Sequence, residues 1–183
     1  RWILSHDPNE TLQFGVFMDS VNNGSDPNSG ASGVTNVTNT NATLSTNSWT
    51  HVVVTFGAGG IGKIYINGSV DSSFDYDISD LSHITYSSGQ LLYLGSDGDQ
   101  SSFVGKIDEI AIWSSSLTDS EVTALYNSGD GLDAASDSGN YDSSSDLVGF
   151  WKMSEQTGTT VDDSSSNSLT ATFVGSPSWV NEL

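Results

Sequence analysis

The stretch from Ser101 to Gly129, SSFVGKIDEIAIWSSSLTDSEVTALYNSG, constrains the fold more than any other part of this chain. It joins a strand-like segment directly to a short helix that carries its own start signal. Phe103 to Trp113 follows the two-residue period of a half-buried strand, imperfectly around the charged pair Asp108-Glu109. In Leu117-Thr118-Asp119-Ser120-Glu121, Thr118 can cap a helix N-terminus and Glu121 stands three residues on as its capping-box partner. Val122, Leu125 and Tyr126 then supply one apolar face, and Gly129 is placed to end the helix. Upstream, Trp49 to Phe56 has Trp49, His51, Val53 and Thr55 on one face and Val52, Val54 and Phe56 on the other, the pattern of an inner strand. Lys63 to Ile66 runs into Asn67-Gly68, a strong hairpin signal.

The rest of the chain fits strands joined by polar turns. Trp2 to Ser5 and Leu12 to Met18 flank the turn-rich Asp7-Pro8-Asn9-Glu10 and read as a hairpin. Residues 19 to 48 are dominated by Asn, Ser, Gly and Thr and read as a long loop with one weak strand around Ala31 to Val37. Gln90 to Gly95 is a further strand, followed by the acidic turn Ser96 to Asp99. Residues 131 to 146 have the small, acidic composition of a linker. A fresh strand, Leu147 to Met153, opens a second structural unit, with Thr159 to Val161 and Ser168 to Val174 as further strands.

Charge narrows the partners. Twenty-three acidic residues against four basic ones leave a formal charge of -19, which repels nucleic acid and anionic membranes. The same carboxylates can serve divalent cations, although most are solvated surface. The chain has no cysteine, so no disulfide framework exists, and this leaves the compartment open. No apolar run reaches bilayer length. The start at Arg1-Trp2-Ile3-Leu4 is neither a signal peptide nor an initiator methionine, and reads as a cut from something longer.

The run W-x-H-V-V-V-T-F, then K-I-Y-I-N-G, then F-x-G-K-I-D-E-I-A-I-W-x-x-x-L-T-D-x-E-V-x-x-L-Y resembles the laminin-G-like jelly rolls of the concanavalin A-like lectin and glucanase superfamily. The resemblance covers about residues 1 to 130. It implies an all-β, two-sheet antiparallel jelly-roll sandwich with one short helix near residues 118 to 128. Residues 147 to 180 resemble the opening of the same family, so the order here is reversed. The chain is then an excerpt of a tandem array, a circular permutation, or the donor of a strand to a neighbouring molecule. Permuted closure leads narrowly, because a detached opening would leave Phe150, Trp151 and Leu169 exposed.

The resemblance also implies a structural calcium between the opening loop and the Asp-Glu strand. Here that implicates Asp108, Asp163 and Asn167, with Asp162 in reserve, as oxygen donors. Asp108 supports it, since a charge inside an apolar strand is costly without a partner. Ser166 stands where the family usually has Gly, and the alternative is a plain Asx turn. Asp97 and Asp99 are a second, weaker candidate.

Of the five tryptophans, Trp49, Trp113 and Trp151 sit in strand patterns and are expected in the core. Tyr76 and Tyr86, in polar loops, are the aromatic residues expected to be reachable by a ligand. His51 reads as a core histidine, and His6 and His83 lack a nucleophile pattern. Asp108 and Glu109 are adjacent in a strand and face opposite ways, so they cannot flank one glycosidic bond. Asn23, Asn36, Asn41 and Asn67 begin Asn-x-Ser/Thr matches that this composition produces easily. The expected function is a non-enzymatic, calcium-stabilised recognition or adhesion module outside a cell or on a virus particle, binding glycan or a surface protein. The alternative is an assembly module of a fibre, filament or capsid that associates with copies of itself by strand exchange.

Overall fold

The computed structural model describes residues 2–6, 11–17, 35–57, 61–75, 91–96 and 102–180. The chain is mostly β, with several antiparallel sheets and one short helix, and divides into two units, Arg1–Phe103 and Val104–Leu183.

In the first unit, β1 (Trp2–His6) pairs antiparallel with β2 (Thr11–Phe17), as the expected hairpin. β2 also pairs with β3 (Thr35–Thr43), giving the order β1-β2-β3. β3 is built from Thr and Asn and extends beyond the weak strand expected up to Val37. Its polar side chains do backbone work. Where the register shifts between Thr11 and Gln13, the Leu12 amide donates to the Thr40 hydroxyl at 3.0 Å. That hydroxyl, buried, donates in turn to the Ala42 carbonyl at 2.7 Å. A β-bulge leaves ladder groups over, and here a threonine takes one.

The second sheet has the order β4-β5-β6, from β4 (Val52–Phe56), β5 (Ile61–Ile66) and β6 (Ser69–Asp75). β5 and β6 are joined by Asn67 and Gly68 with φ of 50° and 75°, the doubly left-handed turn that matches strand twist. β5 is the central strand, with Ile64 and Tyr65 buried on its two faces. β4, which reads as an inner strand, begins only at Val52 and pairs with β5 alone among the described strands. Phe14, Ile64 and Phe74 form the core with Val54 and Phe56 packed against them. The Phe14 ring lies 5.3 Å from Phe74 and 6.0 Å from Phe56, within the range of favourable aromatic pairs. Gly62 permits this approach, since a Cβ there would fall 2.3 Å from the Phe74 ring and 2.2 Å from the Thr55 carbonyl oxygen.

In the second unit, β7 (Ile110–Trp113) pairs antiparallel with β8 (Leu147–Trp151). The segment that resembles a domain opening thus pairs with a strand of its own chain. β7 is shorter than the strand expected from Phe103, because Glu109 takes φ of 51° and breaks the extended run. Residues 91–95, also expected as a strand, are irregular. α1 (Asp119–Tyr126) has the predicted capping box on Thr118 and Glu121, and buries Val122 and Leu125. It closes at Asn127, left-handed at φ 47°, two residues before Gly129.

Residues 131–146 have a linker's composition but are tied down at many points. The buried Tyr141 hydroxyl donates to the Ala134 carbonyl at 2.7 Å and accepts from the Trp113 indole at 3.0 Å. Ser143 donates to the Glu121 carboxylate, and the Ser114 amide donates to the Asp146 carbonyl at 2.9 Å. Beyond β8, β9 (Thr160–Val161) and β10 (Ala171–Thr172) form a small antiparallel pair.

Candidate functional site

The loop after β9 is organised by one carboxylate. Asp163 Oδ1 accepts the amides of Phe150 and Ser165, both at 2.8 Å. Its Oδ2 accepts the Ser165 hydroxyl and the Leu169 amide, both at 2.8 Å. Burial alone would raise the Asp163 carboxyl, but the bonds from Phe150, Leu169 and Ser165 outweigh it and hold the group below its ordinary value. Asn167 donates from its amide nitrogen to the carbonyls of Leu147, at 3.1 Å, and Val148, at 3.0 Å. The Trp151 indole donates to the Leu169 carbonyl at 2.8 Å.

These contacts bear on the calcium that the sequence resemblance implies. A carboxylate offers about four acceptor positions, and all four at Asp163 meet N–H or O–H donors. Asp108 lies before β7 rather than inside it, so the cost of a charge within an apolar strand does not arise; its Oδ1 accepts the Glu109 amide at 3.1 Å. Asp162 is exposed, and its own amide donates to Glu155. Among the described residues no group of three or more His, Asp or Glu side chains is gathered as metal ligands. As arranged, these donors do not fit calcium, which takes six to eight oxygens.

The tryptophans part company with the sequence pattern. Trp151 is buried and Trp113 half-buried, whereas Trp49 is 62% exposed. Alternation assigns faces only within a strand, and Trp49 lies three residues ahead of β4. It stands upstream of His51, whose backbone is fastened to the β5–β6 turn: its amide donates to Asn67 Oδ1 at 3.0 Å and its carbonyl accepts from the Asn67 amide at 2.9 Å. Trp49 is thus an exposed aromatic residue two positions from a fastened backbone. Tyr76 and Tyr86 lie outside the described residues, as do Asp97, Asp99, His83 and Asn23.

Three further titratable groups have structural surroundings. Burial lowers the His51 imidazole from its ordinary value. The Glu109 carboxylate lies beside Gly131, where a Cβ would come within 3.3 Å of Oε2. Glu121, buried in the capping box, accepts from the Thr118 amide at 2.8 Å and hydroxyl at 2.9 Å. Asn41 and Asn67, both in glycosylation-type triplets, already use their side chains: Asn41 on the Asp71 carbonyl at 2.7 Å and Asn67 on the His51 amide.

Comparison with known proteins places this geometry. Residues 2–123 match the family profile Laminin_G_3, described as the concanavalin A-like lectin/glucanases superfamily. No curated protein matches the chain. A crystal structure described as a "putative carbohydrate binding protein" from Bacteroides ovatus ATCC 8483 matches 93% of this chain, with a TM-score of 0.62 and 20% identity. This chain spans 44% of that protein's length, and at such identity the match shows the fold alone. An S-layer domain-containing protein from Clostridium thermocellum ATCC 27405 matches 68% of this chain and 55% of its own, at 21% identity and a TM-score of 0.33, too low to carry an argument.

Proposed function

Because this chain belongs to the concanavalin A-like lectin/glucanase superfamily, we propose that it is a non-enzymatic recognition module, displayed outside a cell, that binds neutral glycans. The observation that carries this reading is Trp49, an aromatic residue that is 62% exposed. An indole face matches the C–H face of a sugar ring and loses little conformational freedom on binding. The carbohydrate-binding description of the Bacteroides ovatus neighbour supports the same ligand class. The charge of -19 selects against sulfated and other acidic sugars.

The magnitude is modest. One indole face is roughly half of the 150–250 Å² that such a side chain buries, which at about 25 cal/mol per Å² gives about 2–3 kcal/mol. Millimolar binding needs about 4 kcal/mol, so stacking supplies half or more of it and hydrogen bonds the rest. Such a module works by repetition along a surface, where linked sites multiply weak affinities.

A glycan array followed by calorimetry tests the reading. Wild type should bind one or more neutral saccharides with millimolar or better affinity, and Trp49→Ala should lose at least ten-fold while its unfolding midpoint stays unchanged. Absence of any saccharide binding at high concentration, or full binding by Trp49→Ala, sinks it.

A further inference from the structure

The loop that Asp163 organises is bonded to one edge of β8. β8 offers β7 one edge. At the other edge, the Phe150 amide is taken by Asp163 and the Phe150 carbonyl by the Ser164 amide at 2.7 Å. The Val148 carbonyl, outward on the same edge two residues earlier, is taken by the Asn167 side-chain Nδ2, which also reaches the Leu147 carbonyl. An isolated antiparallel bridge between Trp151 and Asp163 aligns the loop with the strand. The loop therefore occupies the place of a neighbouring strand, and much of the pairing is done by side chains.

We propose that residues 162–167 form a metal-free edge cap, which closes the outer edge of β8 and keeps it from pairing with a second copy of this chain. Two observations say why this edge needs a cap. Leu147-Val148-Gly149-Phe150-Trp151 contains neither charge nor proline, and four of its five residues are buried. A short apolar run with unpaired N–H and C=O groups is a template for strand addition. Among the described residues of this unit, the cap residues are the ones that meet these groups. Asp163 does the organising that a cation would do: it holds Phe150, Ser165 and Leu169 at one point, and its four bonds use up the acceptor positions a cation would take.

Three measurements test the cap. The wild-type unfolding midpoint should be the same in millimolar calcium and in excess chelator, and the Phe150 and Leu169 amides should be protected from hydrogen exchange in chelator. A calcium-dependent rise of several degrees, or rapid exchange at Phe150 in chelator, overturns the proposal. Asp163→Asn replaces one acceptor oxygen by a donor and so forfeits about half of the four bonds. It should lower the midpoint equally with and without calcium and speed exchange at Phe150; a loss confined to calcium-containing buffer overturns the proposal. Asn167→Ala, which removes only the bonds to Leu147 and Val148, carries the test if Asp163→Asn does not fold. By light scattering it should associate in a concentration-dependent way that wild type does not, and an unchanged mass across a hundred-fold concentration range counts against the cap.

Discussion

Replacing Tyr141 by Phe isolates the tie that fastens residues 131–146. The ring stays, so the apolar burial of a residue only 1% exposed is unchanged. What goes is one hydroxyl with two bonds, to the Ala134 carbonyl at 2.7 Å and from the Trp113 indole at 3.0 Å. The Ala134 carbonyl is left in a residue 4% exposed, and an orphaned buried acceptor costs about 1–3 kcal/mol. The indole of half-buried Trp113 can turn to water and loses less, about 0.5–1 kcal/mol. The expected sum is about 1.5–4 kcal/mol, or a roughly ten- to several-hundred-fold fall in the folding constant at roughly 1.4 kcal/mol per decade. With a urea dependence of about 2 kcal/mol per molar, the midpoint should drop by about 0.75–2 M while the slope stays constant. The same variant should become sensitive to protease between residues 130 and 146. A change under 0.5 kcal/mol would mean that this segment is the linker its composition resembles, and that the hydroxyl contributes nothing to the fold.

Two further outcomes follow from α1 and from the two engaged carboxylates. Thr118→Ala removes the N-cap hydroxyl, which accepts from the Glu121 amide and donates to its carboxylate, and should cost about 1–2 kcal/mol by urea unfolding; a loss below 0.3 kcal/mol refutes the capping role. For Glu121, burial raises the carboxyl, but the bonds from Ser143 and Thr118 prevail and depress it below its ordinary 4.5; Asp163 is likewise depressed below 3.8. A depressed carboxyl contributes stability that is present above the unfolded value and is lost as pH falls through the folded one, so both contributions should fade below about pH 4.5. Since neutralising other carboxylates also relieves the repulsion of a -19 chain, the measurement is the difference between wild type and Asp163→Asn from pH 6 to pH 3. That difference should shrink with acid, and a constant difference contradicts the assignment.

What the sequence discloses here is local. The capping box and the Asn67-Gly68 turn have their partners within four residues, so spacing alone specifies them. The β1–β2 hairpin is legible in a second way, from two strand-like runs flanking the turn-rich Asp7 to Glu10. Trp49 escapes that logic because a face can be assigned only after the strand's first residue is known, and β4 starts at Val52. The role of Asp163 escapes it for a different reason. Its carboxylate serves an amide thirteen residues earlier in the chain, and nothing in the spacing of an Asp-Ser-Ser-Ser-Asn loop distinguishes accepting four N–H and O–H donors from holding a cation. Residues 131–146 are held by side-chain bonds to backbone and to one another, with Tyr141 and Ala134 as the buried anchors. Composition counts apolar area and overlooks order of that kind.

The pairing of β7 with β8 has a consequence for the order in which this chain acquires its structure. The two strands are separated by the helix, its cap and the fastened segment, so the partner that Ile110–Trp113 has among the described strands, Leu147–Trp151, is synthesised only later. Closing a contact across so many residues costs chain entropy before it returns anything, and makes this pairing a late step. A polypeptide that stops at residue 123, where the family match ends, or at Gly129, where the helical turn ends, would carry the recognisable signature yet lack the partner that β7 has among the described strands. Recognition boundary and folding boundary differ by at least the distance to Trp151, and with the Asp163 to Leu169 cap the folding boundary moves further still. During synthesis the β7–β8 pair therefore stays incomplete until Trp151 has been added.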